Sequence, residues 1–279
     1  MYFFNYSRQL ESMKLLLSTK GIKYDGLEID DIKVLFFKTS LRMQSFPIDK
    51  LTINENSIYI NDFQLFRYLV EYEGIPIFWK DIDNLNKSIN MTYTNFQNGI
   101  RIIQNYSEDV LKSCKTANFI NCLFVNSISK FKSGSSSTSI GLSFFCVDNL
   151  AAPELIASSY LHEAVHNALF IEDLIRSVFG KQEFLQNENA QVISPIRKKM
   201  RNYDFTFHAT CVSVELMKFY KSINQIDKFE SLYKNTTTCI DNLYSVAKCQ
   251  QNIGKAPLTE NGFKVLESLN TEVEKLKSI

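Results

Sequence analysis

Apolar residues recur at spacings of three and four over 7–18, which predicts an amphipathic helix. "IKVLFFKTS" and "LTINENSIYI" follow; rich in β-branched and aromatic residues, they read as strands. Helical spacing returns in "DFQLFRYLVEYE" and across 82–115. "ANFINCLFVNSISKF" reads as a strand, "KSGSSSTS" as a polar turn and "IGLSFFCVDN" as another strand. This order predicts a hairpin leading directly into the next helix. That helix starts near Pro153, a residue favoured in a first turn, with Glu154 placed to suit the helix dipole. It runs towards Phe179, where Gly180 offers a stop. After the irregular stretch "KQEFLQNENAQVISPIRKKMRNYD", helical patterns cover 205–220, about 227–250 and 263–277. The expected class is α+β, mostly helical, with a small antiparallel sheet beside the helix that begins at Pro153.

A chain of 279 residues can bury a sizeable core as one large domain or two modest ones. The mixed pattern of 1–115 and the more helical pattern of 116–279 suggest an N-terminal region and a second region, which together could also be one domain. There is no repeat of fixed period and no long low-complexity linker to draw a hard boundary. With 45% hydrophobic residues, 22% charged residues and a net charge of +1, the composition calls for neither nucleic acid nor an anionic membrane. The opening "MYFFNYSRQLESMKLLLSTKG" is too short in apolar run and too interrupted by charge for a signal peptide or a span, so a cytoplasmic protein is expected. Six cysteines without a C-x-x-C pair, several inside apolar runs, read as buried free thiols.

Chemistry concentrates in "SYLHEAVHNALF". On a helix His162 and His166 lie on one face a turn apart and can aim ring nitrogens at a single ion, with Glu163 beside them. Two satisfied histidines on a partly buried helix would also produce this spacing. Scarcity favours the metal: the chain has three histidines, two form the motif, and the third, His208, begins another helical pattern.

In a zinc peptidase the two histidines bind the metal, Glu163 is general base on bound water, and a third ligand completes the set. The subclass with a glycine and a third histidine downstream is excluded, because Leu169 and Glu172 occupy those positions. A glutamate from a later helix would have to be Glu183 or Glu188, neither in a convincing helical pattern. Open-sited non-haem Fe(II) is the competing chemistry. It generally needs a cation for the remote carboxylate of an oxo-acid, and "SPIRKKMRNYDFTFH" supplies Arg197, Lys198, Lys199 and Arg201 just before His208. By charge alone that run reads as a solvated basic loop.

Taken together, "SGSSSTSIGLSFF", "LHEAVHNALF", "SPIRKKMRNYDFTFHA" and "LTENGFKVLESL" resemble the 2-oxoglutarate-dependent HExxH-type peptide β-hydroxylases of ribosomal natural-product pathways. The resemblance covers roughly 130–279. Ser194, Pro195, Arg197, Arg201 and His208 match the family pattern, while Asn202 stands where it has proline. The resemblance implies that His162, His166 and His208 bind Fe(II) and that 2-oxoglutarate chelates the metal, with Arg201 or Arg197 holding its far carboxylate. O2 would then drive decarboxylation to succinate and hydroxylation of a Cβ in a precursor peptide. Under this mechanism Glu163 either orients a ligand or water or approaches the metal itself, and Ser133, Ser135 and Ser136 either line the site or simply form a turn. Two alternatives stay open: a zinc metallopeptidase with Glu163 as base, and a non-catalytic peptide-binding protein with a structural metal held by four ligands.

Overall fold

A computed structural model of the chain describes residues 1–43, 58–59, 85–124, 132–146, 150 and 152–277. The helix expected in "DFQLFRYLVEYE" lies outside these residues, as does most of the strand expected in "LTINENSIYI". The described chain is mostly helical with a small sheet, an α+β protein. It divides into two compact units, Tyr6–Ile171 and Met1–Asn5 with Glu172–Ile279.

In the first unit, α1 (Tyr6–Thr19) buries Met13, Leu16 and Leu17 at helical spacing. The next segment corrects the sequence reading, because "IKVLFFKTS" belongs to a helix, α2 (Ile29–Met43), and not to a strand. Its buried positions are Ile32, Lys33, Phe36, Phe37 and Ser40, a period near 3.6, and Asp30 and Asp31 supply the acidic first turn that a helix favours. Branched and aromatic composition points to a strand here, but packing decides: the Phe37 ring stacks on Phe119 with centroids 4.4 Å apart.

Two helices follow, α3 (Leu85–Tyr106) and α4 (Glu108–Ala117), where the sequence expects helix across 82–115. Between them the Ser107 hydroxyl accepts from the Val110 N–H at 3.3 Å, and Glu108 and Asp109 face the dipole of α4. The strands are β1 (Ile58–Tyr59), β2 (Ile120–Phe124), β3 (Ser133–Ser135) and β4 (Leu142–Cys146), in sheet order β1-β2-β4-β3.

The sheet is mixed, which corrects the antiparallel expectation. β1 with β2 and β2 with β4 run parallel, and β3 alone runs antiparallel, pairing Ser133, Gly134 and Ser135 with Phe145, Phe144 and Ser143. The hairpin into the next helix is therefore β3–β4, built partly from the serines read as a turn. Gly141 turns its corner at φ +87°, where a Cβ would meet the Phe37 ring at 2.0 Å, so the position excludes any larger residue.

The helix expected from Pro153 is α5 (Pro153–Arg176). Tyr160 on α5, Phe96 on α3 and Phe145 on β4 form an aromatic triangle with centroids 5.3 to 5.9 Å apart, which packs this helix on the sheet. The helix ends at Ser177, in the left-handed region at φ 51°, rather than at Gly180. One Asp173 carboxylate oxygen accepts from the N–H groups of Val178 and Phe179 at 2.7 and 3.0 Å and closes that end. Gly180 serves a different purpose: a Cβ there would stand 2.2 Å from the Ala256 carbonyl oxygen.

The second unit continues through α6 (Gln182–Leu185), a 3-10 turn at Glu188–Ala190, and the two-stranded antiparallel ribbon of β5 (Val192–Ile193) and β6 (Met200–Arg201). The three long helices expected near the C-terminus are α7 (Tyr203–Ser222), α8 (Ile226–Asn252) and α9 (Glu260–Lys277). Helices α7 and α8 are tied by the Tyr203 hydroxyl, which donates to the Leu243 carbonyl at 2.9 Å inside the core. All six cysteines are free thiols, and only Cys249 is exposed. Among the described residues no helix is long and apolar enough to cross a membrane.

Candidate metal centre

Most of α5 is buried, and the apolar residues Ile156, Ala157, Leu161, Ala164, Val165, Ala168 and Leu169 are almost wholly enclosed. Leu155, Ser159, His162, His166 and Phe170 form a half-buried stripe along the same helix. The motif histidines thus stay partly open on a helix most of whose other residues are enclosed. Their Nε2 atoms stand 3.1 Å apart, with ring planes at 61°.

Two nitrogens sharing a metal at about 2.0–2.1 Å would be about 2.9 Å apart at a right angle and about 3.4 Å apart at the tetrahedral angle. The observed spacing lies between these values, so the separation of the two nitrogens is compatible with one shared ion. With one ring as donor and the other as acceptor, the same spacing is a hydrogen bond. The donor set therefore suits a divalent transition metal, and the spacing alone does not select Fe or Zn.

Glu163 is 2% exposed, and both of its carboxylate oxygens are engaged. The Ser133 hydroxyl donates to Oε1 at 2.7 Å, and the Ser135 hydroxyl donates to Oε2 at 2.8 Å. Residues two apart on a strand face the same way, so the Ser-Gly-Ser strand β3 presents its two hydroxyls as a fork. Ser136, which the sequence offered with them, pairs instead with the Thr138 hydroxyl at 2.7 Å.

A second attachment lies one helical turn on. The Asn167 amide donates to Asn118 Oδ1 at 3.0 Å and to the Ser143 hydroxyl oxygen at 2.9 Å, while its own Oδ1 accepts from the Gly141 N–H at 2.9 Å. Ser143 donates in turn to Asn118 Oδ1 at 2.9 Å, and the Asn118 amide donates to the Tyr160 carbonyl at 2.9 Å. Glu163 and Asn167 are themselves four apart and share a face, roughly 100° around the helix from the histidines. Their strand partners Ser135 and Ser143 are opposite one another across the β3–β4 ladder. In "HEAVHN" the glutamate and asparagine therefore grip the sheet, and this fixes the direction in which the histidines point. Sequence reasoning missed Asn118, Ser143 and Asn167, whose only signal was a polar residue inside an otherwise apolar run.

The other named residues belong to the second unit. His208, in the first turns of α7, is buried, its ring stacked on Phe179 at 5.7 Å, and burial pushes its pKa down to about 3. Arg201 is half-buried, with its guanidinium 4.9 Å above the Phe205 ring. Arg197 is exposed at the tip between β5 and β6, and its backbone N–H donates to the Ser194 hydroxyl at 3.3 Å. Glu183 and Glu188 are both exposed. Glu172, at the position where one peptidase subclass has its third histidine, is buried and accepts from Arg176 at 3.3 Å and from Asn261 at 3.1 Å. The structure thus brings His162 and His166 together, with Glu163 beside them on the helix but turned to β3, and among the described residues no group of three or more His, Cys, Asp or Glu side chains is gathered as a ligand set. A scan against protein-family models and a search of curated proteins each return no match to this chain.

Proposed function

We propose that the protein is a non-haem Fe(II)- and 2-oxoglutarate-dependent oxygenase that hydroxylates the β-carbon of a residue in a ribosomally made precursor peptide. The observation that carries the reading is two imidazoles with Nε2 atoms 3.1 Å apart beside a glutamate whose two oxygens each accept from a β3 hydroxyl. A hydrolytic base has to present a carboxylate oxygen to metal-bound water; each Glu163 oxygen keeps a second lone pair, but both already accept from hydroxyls on β3, which turns the carboxylate towards that strand. An oxygenase makes no such demand on it.

In this reading His162, His166 and His208 hold the metal. His208 suits the role because its buried ring stays neutral, which is the ligating form. Arg201 or Arg197 receives the far carboxylate of 2-oxoglutarate; half-buried Arg201, its guanidinium 4.9 Å from the Phe205 ring centre, offers a planar fork for it. Bound Fe(II) supplies the redox chemistry that couples oxidative decarboxylation of 2-oxoglutarate by O2 to insertion of one oxygen atom into a peptide C–H bond. Leu155 and Phe170, half-buried on the same stripe of α5, supply apolar surface for a peptide side chain in this reading.

The test is succinate formation by anaerobically purified, Fe(II)-loaded protein given 2-oxoglutarate and then oxygen, with candidate precursor peptides screened by mass for the gain of one oxygen. Turnover that His208→Ala abolishes and Glu163→Gln leaves largely intact is expected. Tightly retained zinc, with peptide cleavage that Glu163→Gln removes, would instead identify a zinc peptidase.

A further inference from the structure

The hydroxyls that hold Glu163 come from a different element than the helix carrying it, and that element is itself anchored. Ser133 pairs with Phe145 and Ser135 with Ser143 in the β3–β4 ladder, so the backbone of both serines is tied to β4. Helix α5 is equally fixed, since Asn167 binds the Ser143 hydroxyl oxygen at 2.9 Å. Glu163 links two elements that are hydrogen-bonded to each other, with contacts of 2.7 and 2.8 Å that lie at the favoured length for a hydroxyl donor. Carboxylate oxygens are good ligands for divalent transition metals, and this one belongs to the residue next to His162. An unrestrained carboxylate at that position would be drawn to a dication held by the histidines.

We infer that Ser133 and Ser135 are positioning residues for the metal site: by holding the Glu163 carboxylate against β3 they keep it out of the coordination sphere and preserve positions there for exogenous ligands. The inference rests on the histidine pair being a metal site, but not on whether the reaction is oxidative or hydrolytic. It gives the Ser-Gly-Ser strand a role that its turn-like composition conceals.

The full-length protein loaded with Co(II) tests it, because the visible spectrum of Co(II) reports its ligand set independently of turnover. Replacing both serines with alanine should shift the visible bands and tighten Co(II) binding about tenfold in chelator competition, the scale on which outer partners change metal affinity. The same replacements made together with Glu163→Gln should change neither readout, and Ser133→Thr with Ser135→Thr, which keeps both hydroxyls, should retain the original spectrum. A double-alanine variant with unchanged spectrum and affinity overturns the inference, and so does an equal change in the Glu163→Gln background. If the double variant does not fold, Ser133→Ala and Ser135→Ala singly, each freeing one oxygen, are judged by the same comparisons. Unsubstituted protein that takes up no more Co(II) than His162→Ala removes the metal reading itself, and this result is distinguishable because it precedes any serine variant.

Discussion

Asn167 donates its amide to Asn118 Oδ1 at 3.0 Å with both residues wholly buried, and the residue before Asn167 is His166. The orientation of the histidine pair thus depends on a polar network inside the core. Substituting Asn167→Leu strands the Gly141 N–H and leaves Asn118 and Ser143 short of a donor. Each buried polar group left without a partner costs about 1–3 kcal/mol, so urea unfolding should show a loss of at least about 2 kcal/mol. A smaller loss would mean that the network is not what seats the helix.

Gly141 offers a sharper packing test. Gly141→Ala meets both a left-handed backbone and the Phe37 ring at 2.0 Å, while Gly21→Ala meets a left-handed backbone at φ +68° with nothing within 4 Å. The Gly21 variant should lose about 1–2 kcal/mol from the backbone alone. The Gly141 variant should lose that plus about 1–3 kcal/mol of overpacking. Equal losses in thermal melts would show that the α2–β4 contact yields freely.

These contacts mark where the sequence could be read and where it could not. His162 and His166 were legible because a helix converts a spacing of four into proximity whatever surrounds it. The long C-terminal helices were legible for the same reason. "VLFF" in α2 was misread because its composition favours a strand, while the burial of Ile32, Phe36 and Ser40 that makes it helical comes from tertiary contacts. The parallel pairing of β2 with β4 was hidden because strands near in sequence suggest a hairpin. Ser133–Ser135 lacks strand propensity altogether; it becomes a strand because β4 lies beside it, and its hold on Glu163 spans 30 residues of chain.

The buried His208 predicts a pH dependence. Its pKa is lowered from 6.5 to about 3 by desolvation, so the folded state keeps the ring neutral while the unfolded chain takes up a proton below 6.5. The stabilising contribution is fully present above pH 6.5 and is lost as pH falls towards 3, at up to about 1.4 kcal/mol per pH unit. In metal-free protein, His208→Phe should flatten the stability profile over that window relative to the unsubstituted chain. Parallel profiles would show that the ring titrates normally.

Arg201 and Arg197 can be separated by substitution. On the proposed oxygenase reading, Arg201→Lys keeps the charge but loses the planar fork beside Phe205, and should raise the KM for 2-oxoglutarate by about tenfold or more, the worth of a charge-assisted hydrogen bond. Arg197→Ala, at an exposed tip, should change it little. The reverse pattern in initial-rate measurements of succinate formation would transfer the carboxylate to Arg197.

One thiol differs from the rest. Cys114, Cys122, Cys146, Cys211 and Cys239 are enclosed, and burial pushes Cys122 up to about 12 and Cys239 up to about 11, so they resist both alkylation and air. Cys249, near the end of α8, lies open. A maleimide dye added to the folded, unmutated chain will therefore attach at that one sulfur, which gives a native reporter that leaves the histidine helix untouched.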